Sequence, residues 1–248
     1  MMMKNCWFPF ESERKNSEKL LFCFHHAGGT AAIYRDWIKW SDEIQVIPVE
    51  LPGKATRMGE QYAENMDTVA ESISKENKKV SAGKQVWLYG HSMGSVLAFS
   101  VACYLEMQNV KVEKLIVSGR HAPQEQIDDA YQTYMDDEVL VAEMKRVGGT
   151  PVEFLENEEL LKFILPPLKA DYKINESYVY DGQKVHCDIV GYAGSMDLDA
   201  PLALMESWKD ATTGTFILHE AQGAHFFPIE LGYSFWKKIE NNILSVSV

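Results

Sequence analysis

The sequence lacks several features that mark membrane, secreted or metal-binding proteins. No stretch contains eighteen uninterrupted apolar residues, and the first residues do not combine a long apolar run with a small-residue cleavage site. A membrane-spanning helix and a secretory signal are therefore not expected, and the protein is predicted to be cytoplasmic. The four cysteines are widely separated and form no C-x-x-C pair, which argues against a disulfide framework and against a zinc site.

Clusters of positive charge are also missing. The chain has 24 Lys and Arg against 36 Asp and Glu, and it contains no basic stripe of the kind that neutralises phosphates. Nucleic acid is therefore not an expected partner, and neither is a membrane. With 46% hydrophobic residues, the 248-residue chain can form a single domain over residues 1–248 with one full core. A monomer is the default expectation.

Short apolar runs alternate with segments of helical periodicity. The repeated strand-helix units predict an α/β fold with a mostly parallel central sheet and helices on both faces. The predicted strands, which read as buried on both faces, are Leu20–Phe24, Gln45–Val49, Val86–Tyr89, Lys114–Ser118, Cys187–Tyr192 and Thr215–His219. The predicted helices are Met66–Lys79, Met93–Gln108, Leu202–Asp210 and Tyr233–Leu244.

Residues 122–180 interrupt this alternation. The segment is highly charged and contains no convincing strand, and its helical patches at Glu138–Arg146 and Glu158–Leu165 are expected to be broken by Gly148-Gly149 and Pro166-Pro167. The pattern predicts a helical insertion over the edge of the sheet.

The third predicted strand leads into Gly90-His91-Ser92-Met93-Gly94 and then into a helix. This G-x-S-x-G sequence in a strand-turn-helix context is typical of the nucleophile of an α/β-hydrolase, whose strained turn projects the serine hydroxyl from the sheet. Ser92 is therefore the predicted nucleophile. The alternative is an ordinary turn in which Ser92 caps the helix.

The serine needs a histidine base. Because the catalytic residues of this fold follow the order serine, acid, histidine, the base must be His121, His186, His219 or His225. His225 is favoured because it lies in a glycine-containing loop after the last predicted strand, where the carboxyl ends of the strands bring catalytic loops together. The alternative is a core histidine packed beside two phenylalanines.

The acid should hold the imidazole in the correct tautomer. Asp197 follows the fifth predicted strand, one strand before the histidine loop, and is the predicted acid. Asp199 is a near competitor that could equally cap the helix beginning near Pro201. Asp188 lies at the opposite end of the strand.

Two backbone N–H groups should stabilise the oxyanion of the intermediate. One is expected from Met93, directly after the nucleophile, and the other from Ala27, in the loop after the first strand. Gly28-Gly29 would permit a close backbone approach there, although the pair could also be a plain turn.

Seven segments in order resemble the type II thioesterases that serve nonribosomal peptide and polyketide synthases. These segments are Leu21–Phe24 with Ala27–Gly29, Val49–Gly53 with Arg57, Gly90–Gly94, Ser118–Pro123, Gly148–Pro151, Leu165–Tyr172 and Gly223–Phe227. The resemblance implies a serine thioesterase that removes acyl or aminoacyl groups from the phosphopantetheine arm of carrier domains, without a metal or redox cofactor. It also assigns residues 122–180 to a lid.

The sequence departs from the family pattern at a few positions. His25 stands where proline is common, Lys54-Ala55 where arginine and glycine are common, and Lys169 where arginine is usual. These differences leave the predicted catalytic residues intact and the acyl group open. Two other functions stay open as well: a carboxylesterase or lipase acting on free esters, and a non-catalytic hydrolase fold that serves as a binding module.

Overall fold

Six parallel strands form the centre of the computed structural model, which describes residues 6–10, 16–125 and 131–245. The strands are β1 Lys19–Phe24, β2 Ile44–Pro48, β3 Gln85–His91, β4 Val112–Ser118, β5 Asp188–Gly194 and β6 Phe216–Ala221. They are arranged in the order β2-β1-β3-β4-β5-β6, and every neighbouring pair is parallel. The six predicted strands are confirmed, and the sheet, predicted to be mostly parallel, is parallel throughout the described strands.

Both faces of the sheet are buried, which explains the continuous apolar runs. Successive side chains of a strand point to opposite faces. Leu20 and Phe22 therefore join the large core cluster on one side, whereas Leu21 and Cys23 join the cluster on the other side. Each fully buried side chain of this size contributes about 1.5–3 kcal/mol to folding relative to an exposed one.

Helices cover both faces. The described α-helices are α1 Arg35–Trp40, α2 Met66–Val80, α3 Met93–Met107, α4 Asp137–Val147, α5 Val152–Leu155, α6 Glu158–Glu176, α7 Leu202–Met205, α8 Phe227–Leu231 and α9 Tyr233–Leu244. Side chains of α2 and α3 belong to the larger cluster, and those of α1 and α9 belong to the cluster on the opposite face. None of the described helices has the length and apolar character needed to cross a bilayer.

Two helix predictions need correction. The predicted helix Leu202–Asp210 is divided into α7 and a 3₁₀ helix at Glu206–Ala211. The expected break at Pro166-Pro167 is wrong, because α6 continues through both prolines. A proline in a helix interior costs about 3 kcal/mol. Here Leu165 and Leu168, which flank the pair, are buried in a third apolar cluster that holds α6 in place.

The third apolar cluster lies within the segment between β4 and β5. Its buried members are Tyr131, Leu140, Leu165 and Leu168, with Ala27 of the loop after β1 packed against them. Residues 126–130 of the predicted 122–180 insertion lie outside the described residues. The helices α4 and α6 thus share a small core of their own above the carboxyl ends of the strands.

Candidate active site

Ser92 occupies a strained turn between β3 and α3. Its backbone angles are φ 54° and ψ -125°, a conformation that is costly for a residue with a side chain. A Cβ atom on Gly90 would lie 2.1 Å from the carbonyl oxygen of Gly94, and one on Gly94 would lie 2.2 Å from that of Phe24. Both glycines are therefore required by the close approach of the backbone. The Ser92 side chain makes no capping hydrogen bond to α3, so the helix-cap alternative is not what the structure shows.

Two serines that sequence reasoning missed support this turn. The carbonyl of Ser118, at the end of β4, accepts the N–H of Ser92 at 2.8 Å. The hydroxyl of Ser95 lies 2.9 Å from the carbonyl oxygen of Gly90 and 3.0 Å from that of Ser118. Because β3 and β4 pair with His91 opposite Ser118, the strand register places these groups beside the turn. Two sequence signals accompany Ser118, which ends a predicted strand and begins the family-like segment Ser118–Pro123.

His225 lies in the loop between β6 and α8, with its ring directed at Asp197. Nδ1 of His225 is 3.0 Å from Oδ2 of Asp197, and the two side chains are 12% and 1% exposed. When Nδ1 carries the proton and donates a hydrogen bond to the carboxylate, Nε2 is unprotonated and can accept a proton. The structure thus brings together the predicted base and the predicted acid.

The carboxylate of Asp197 is held in its charged form. Its other oxygen accepts the backbone N–H groups of Asp199 at 3.0 Å and Ala200 at 3.3 Å. Burial alone would raise the pKa of Asp197, but the hydrogen bonds from His225 and from these two N–H groups outweigh burial and hold the pKa below its ordinary value. The Asp199 side chain bonds instead to Arg146 of α4.

The other candidate bases differ from His225 in their surroundings. His121 is buried, and desolvation together with the charge of Arg120 lowers its pKa to about 3. His186 is exposed before the start of β5, and the ring of His219 stacks on Tyr192 at 5.2 Å. Within the described residues, none of these three imidazole rings is hydrogen-bonded to a carboxylate, although the backbone N–H of His186 donates to Glu106.

Three further histidines surround the site as neutral rings. Burial lowers the pKa of His25 and His91 well below the ordinary value and that of His26 to about 3. Nδ1 of His91 contacts the hydroxyl of Ser118 at 3.0 Å, and its ring centre is 5.1 Å from that of His225. These rings therefore pack the site without adding positive charge next to His225.

A cavity of about 390 Å³ opens at this point, and Ala27, Ser92, Met93 and His225 all line it. Its size is within the range of small-molecule sites. The predicted nucleophile, base and both predicted oxyanion donors therefore face one space, with Asp197 directly behind His225. The opposite wall comes from the helical segment, through Glu143, Arg146, Tyr172 and Asn175.

Within residues 6–10, 16–125 and 131–245, one group of side chains could hold a metal ion by distance alone. Ligand atoms of Asp197, Asp199 and His225 lie within 4.8 Å of one another. The contacts already described account for all three, since Asp197 binds His225 and Asp199 binds Arg146. This group does not require an ion to explain its geometry.

A serine on a strained strand-helix turn, facing a cavity that it shares with a carboxylate-bound histidine, defines the class of serine α/β-hydrolases. A thioesterase-domain family profile matches residues 19–241. The chain therefore belongs to the thioesterase family, and the predicted fold class and the predicted thioester hydrolase are confirmed. The predicted resemblance to type II thioesterases is confirmed as well by the relatives and structures below.

Similar proteins cover nearly the whole chain. The linear gramicidin dehydrogenase LgrE of Brevibacillus parabrevis is 35% identical over 227 residues, which are 89% of this chain and 86% of that protein. The thioesterase PikA5 of Streptomyces venezuelae is 32% identical over 235 residues, 92% of this chain and 82% of that protein. The type II thioesterase BorB from the borrelidin biosynthetic cluster has a similar structure, with a TM-score of 0.84 and 28% identity over 98% of this chain and 100% of that chain. The name of the first relative refers to a dehydrogenase, whereas the family profile describes a thioesterase domain and the other two proteins are named thioesterases.

Proposed function

We propose that this protein hydrolyses acyl and aminoacyl thioesters carried on the phosphopantetheine arm of synthase carrier domains. Ser92 is the nucleophile, His225 the general base and Asp197 the orienting acid. The observation that carries this proposal is the shared cavity, in which the strained Ser92 turn faces a histidine whose Nδ1 is 3.0 Å from a buried carboxylate. The thioesterase relatives favour a thioester substrate over a free ester.

The reaction proceeds in two stages. Nε2 of His225 accepts the proton of Ser92 as the hydroxyl oxygen attacks the thioester carbonyl, and the resulting imidazolium is stabilised by Asp197. The carrier thiol then leaves with the proton from His225. Water, activated by the same imidazole, attacks the acyl-serine ester and releases the free acid.

The negative charge that develops on the carbonyl oxygen needs fixed donors. The N–H groups of Ala27 and Met93 are the proposed donors, because both residues line the cavity with Ser92. Met93 is the first residue of α3, so its N–H belongs to the positive end of that helix. A metal or redox cofactor has no role in these steps.

The helical segment provides the other side of the cavity. We propose that α4, α5 and α6, within residues 122–180 of a single hydrolase domain, form a lid over Ser92. Glu143 and Arg146 of α4 and Tyr172 and Asn175 of α6 line the same cavity. The partner under this proposal is a carrier domain in the cytoplasm, whose phosphopantetheine arm reaches Ser92 between the lid and the sheet.

The test is release of radiolabelled acyl groups from a loaded carrier protein. Wild type is expected to release acetyl and aminoacyl groups, and Ser92→Ala and His225→Ala are each expected to lower kcat by a factor on the order of 10⁶. Ser100→Ala is a matched control in α3, because the Ser100 hydroxyl bonds the carbonyl of Val96 and is not among the residues that line the cavity. It should retain activity.

Three results would count against the proposal. Rapid hydrolysis of p-nitrophenyl esters without unloading of the carrier would favour a carboxylesterase. Full activity of Ser92→Ala would show that Ser92 is not the nucleophile. Absence of hydrolysis of either substrate by folded wild type would favour a binding module.

A further inference from the structure

A buried ion pair joins the proposed lid to the loop that carries Ala27. Nζ of Lys54 contacts Oδ2 of Asp171, and their side chains are only 2% and 1% exposed. The same carboxylate oxygen accepts the backbone N–H of Gly28 at 2.7 Å. Three distant parts of the sequence therefore meet at one oxygen atom: the loop after β1, the loop after β2 and helix α6.

Stability alone is a weak explanation for this pair. Removing two charges from water is costly, and a well-packed apolar pair of the same volume is often as stable as a buried ion pair. An ion pair does supply something that an apolar pair cannot, which is a fixed acceptor for the N–H of Gly28. Burial raises the pKa of Asp171, and the charge of Lys54 and the N–H of Gly28 oppose that shift and favour the carboxylate. The hydrogen bond from Gly28 to this carboxylate holds the peptide between Ala27 and Gly28 in one orientation.

Helix α6 touches the same loop at two other points. Gly28 has a φ of +80°, and a Cβ atom there would lie 3.0 Å from Cδ1 of Leu168, one helical turn before Asp171. The side chain of Ala27 packs against the apolar cluster that contains Leu165 and Leu168. The position of Ala27 is therefore set by α6 through one hydrogen bond and two apolar contacts.

We propose that Asp171, with Lys54 as its counterion, is a positioning residue that aims the Ala27 N–H at the oxyanion of the transition state. The proposal rests on the catalytic role given above to Ser92 and Ala27. Neither Asp171 nor Lys54 is among the described residues that line the cavity, so they act through the loop and not on the substrate. It follows that the oxyanion site is complete only when α6 is seated against the loop.

The test compares two double variants that share Lys54→Met and differ only at position 171. Lys54→Met with Asp171→Leu removes both charges and the acceptor for Gly28, whereas Lys54→Met with Asp171→Asn removes the charges but keeps an acceptor. The leucine variant is expected to lose about 10- to 100-fold in kcat with KM little changed, as for a misplaced catalytic donor. The asparagine variant should recover most of that loss, and Lys54→Arg should remain close to wild type.

A trifluoromethyl ketone analogue of the acyl thioester gives a second readout, because its adduct with Ser92 places an oxyanion at the proposed donors. Its inhibition constant should rise in the leucine variant by the same factor as kcat falls. Asp137→Asn is the matched control, since Asp137 pairs with Lys169 within the same helical segment. Asp137→Asn should change neither kcat nor the inhibition constant.

Each outcome decides the proposal. Wild-type kcat and inhibition in the folded leucine variant would overturn it, and so would an activity loss equal in the leucine and asparagine variants or one explained by the unfolded fraction in thermal melts. Should the leucine variant fail to fold, Lys54→Met with Asp171→Ala removes the charges and the acceptor with a smaller side chain, and wild-type kcat and inhibition in that folded variant would overturn the proposal equally. Failure of the proposed function can be distinguished from failure of this inference. In that case the wild type itself would not release acyl groups, or Ser92→Ala would remain active.

Discussion

At the scale of single residues, Asp197 and Asp199 compete for the role of catalytic acid, and their contacts separate them. The carboxylate of Asp197 is 3.0 Å from Nδ1 of His225, whereas that of Asp199 faces Arg146. In Asp197→Asn the side-chain amide would favour the wrong tautomer of His225. We expect kcat to fall on the order of 10⁴-fold, with the protein still folded.

The matched control is Asp199→Asn, measured in the same acyl-release assay. Its carboxylate is partly exposed and contacts Arg146, so the change should alter kcat less than about fivefold, the effect of a surface ion pair. A larger loss in Asp199→Asn than in Asp197→Asn would reverse the assignment of the acid.

Gly94, two residues after the nucleophile, provides a second prediction at this scale. Alanine at Gly94 would gain about 1 kcal/mol of helix propensity. Its Cβ would lie 2.2 Å from the carbonyl oxygen of Phe24, however, and overpacking against backbone costs about 1–3 kcal/mol or more. Gly94→Ala should therefore lower both Tm and kcat.

Gly59→Ala serves as the control for this substitution, because a Cβ atom there meets nothing within 4 Å. Its Tm and its kcat should both equal those of the wild type. Equal melting temperatures for the two variants would show that the backbone around Ser92 is looser than the distances indicate.

At the scale of elements, α4 is held over the cavity by one arginine. Arg146 donates two hydrogen bonds to Glu143 on its own helix and forms two contacts with Asp199, at 2.9 and 3.0 Å. Among the residues that the structure describes, the apolar cluster beneath α4 has four buried members. Arg146→Gln should therefore loosen this helix and leave the sheet unchanged.

Hydrogen exchange measures this effect directly. Amides of α4 should exchange roughly 5- to 30-fold faster in Arg146→Gln, which corresponds to about 1–2 kcal/mol of local stability. Lys162→Gln breaks an exposed pair within α6 and joins no separate elements, so it should leave α4 unchanged. Identical exchange of α4 in the two variants would contradict the prediction.

Most strands and one helix could be predicted closely from sequence patterns. The strands were predictable because burial on both faces makes each strand a continuous apolar run, as in Leu20–Phe24. Helix α9 was predicted with its observed bounds, Tyr233–Leu244. Pro166 and Pro167 misled the prediction because local helix propensity was overridden by the packing of Leu165 and Leu168.

At the scale of the whole molecule, the parts of the site that were missed are those that join distant segments. Ser92, Asp197 and His225 could be proposed because each follows a predicted strand. Lys54 and Asp171, 117 residues apart, belong to no short motif with a known chemical reason, so only the folded chain reveals their contact.

A buried carboxyl group also makes the stability of the whole molecule depend on pH. Glu50 is fully buried, and one of its oxygens accepts the N–H of Ala31 at 3.2 Å. Burial raises the pKa of Glu50 from 4.5 to about 7, although Lys54 and Arg57 oppose the shift. The folded protein thus binds a proton that the unfolded chain releases between these two values. This contribution to the free energy of unfolding therefore falls as pH rises from about 4.5 to about 7, and the loss is complete above that range.

Glu50→Gln removes this titration while keeping an acceptor for Ala31. The free energy of unfolding, measured by urea denaturation at several pH values, should decline less between pH 5 and pH 8 in the variant than in the wild type. Glu153→Gln changes the net charge equally at an exposed position, so it controls for the general effect of charge. Parallel pH profiles for wild type and Glu50→Gln would mean that Glu50 is ionised in the folded protein throughout this range, with Lys54 and Arg57 compensating its burial.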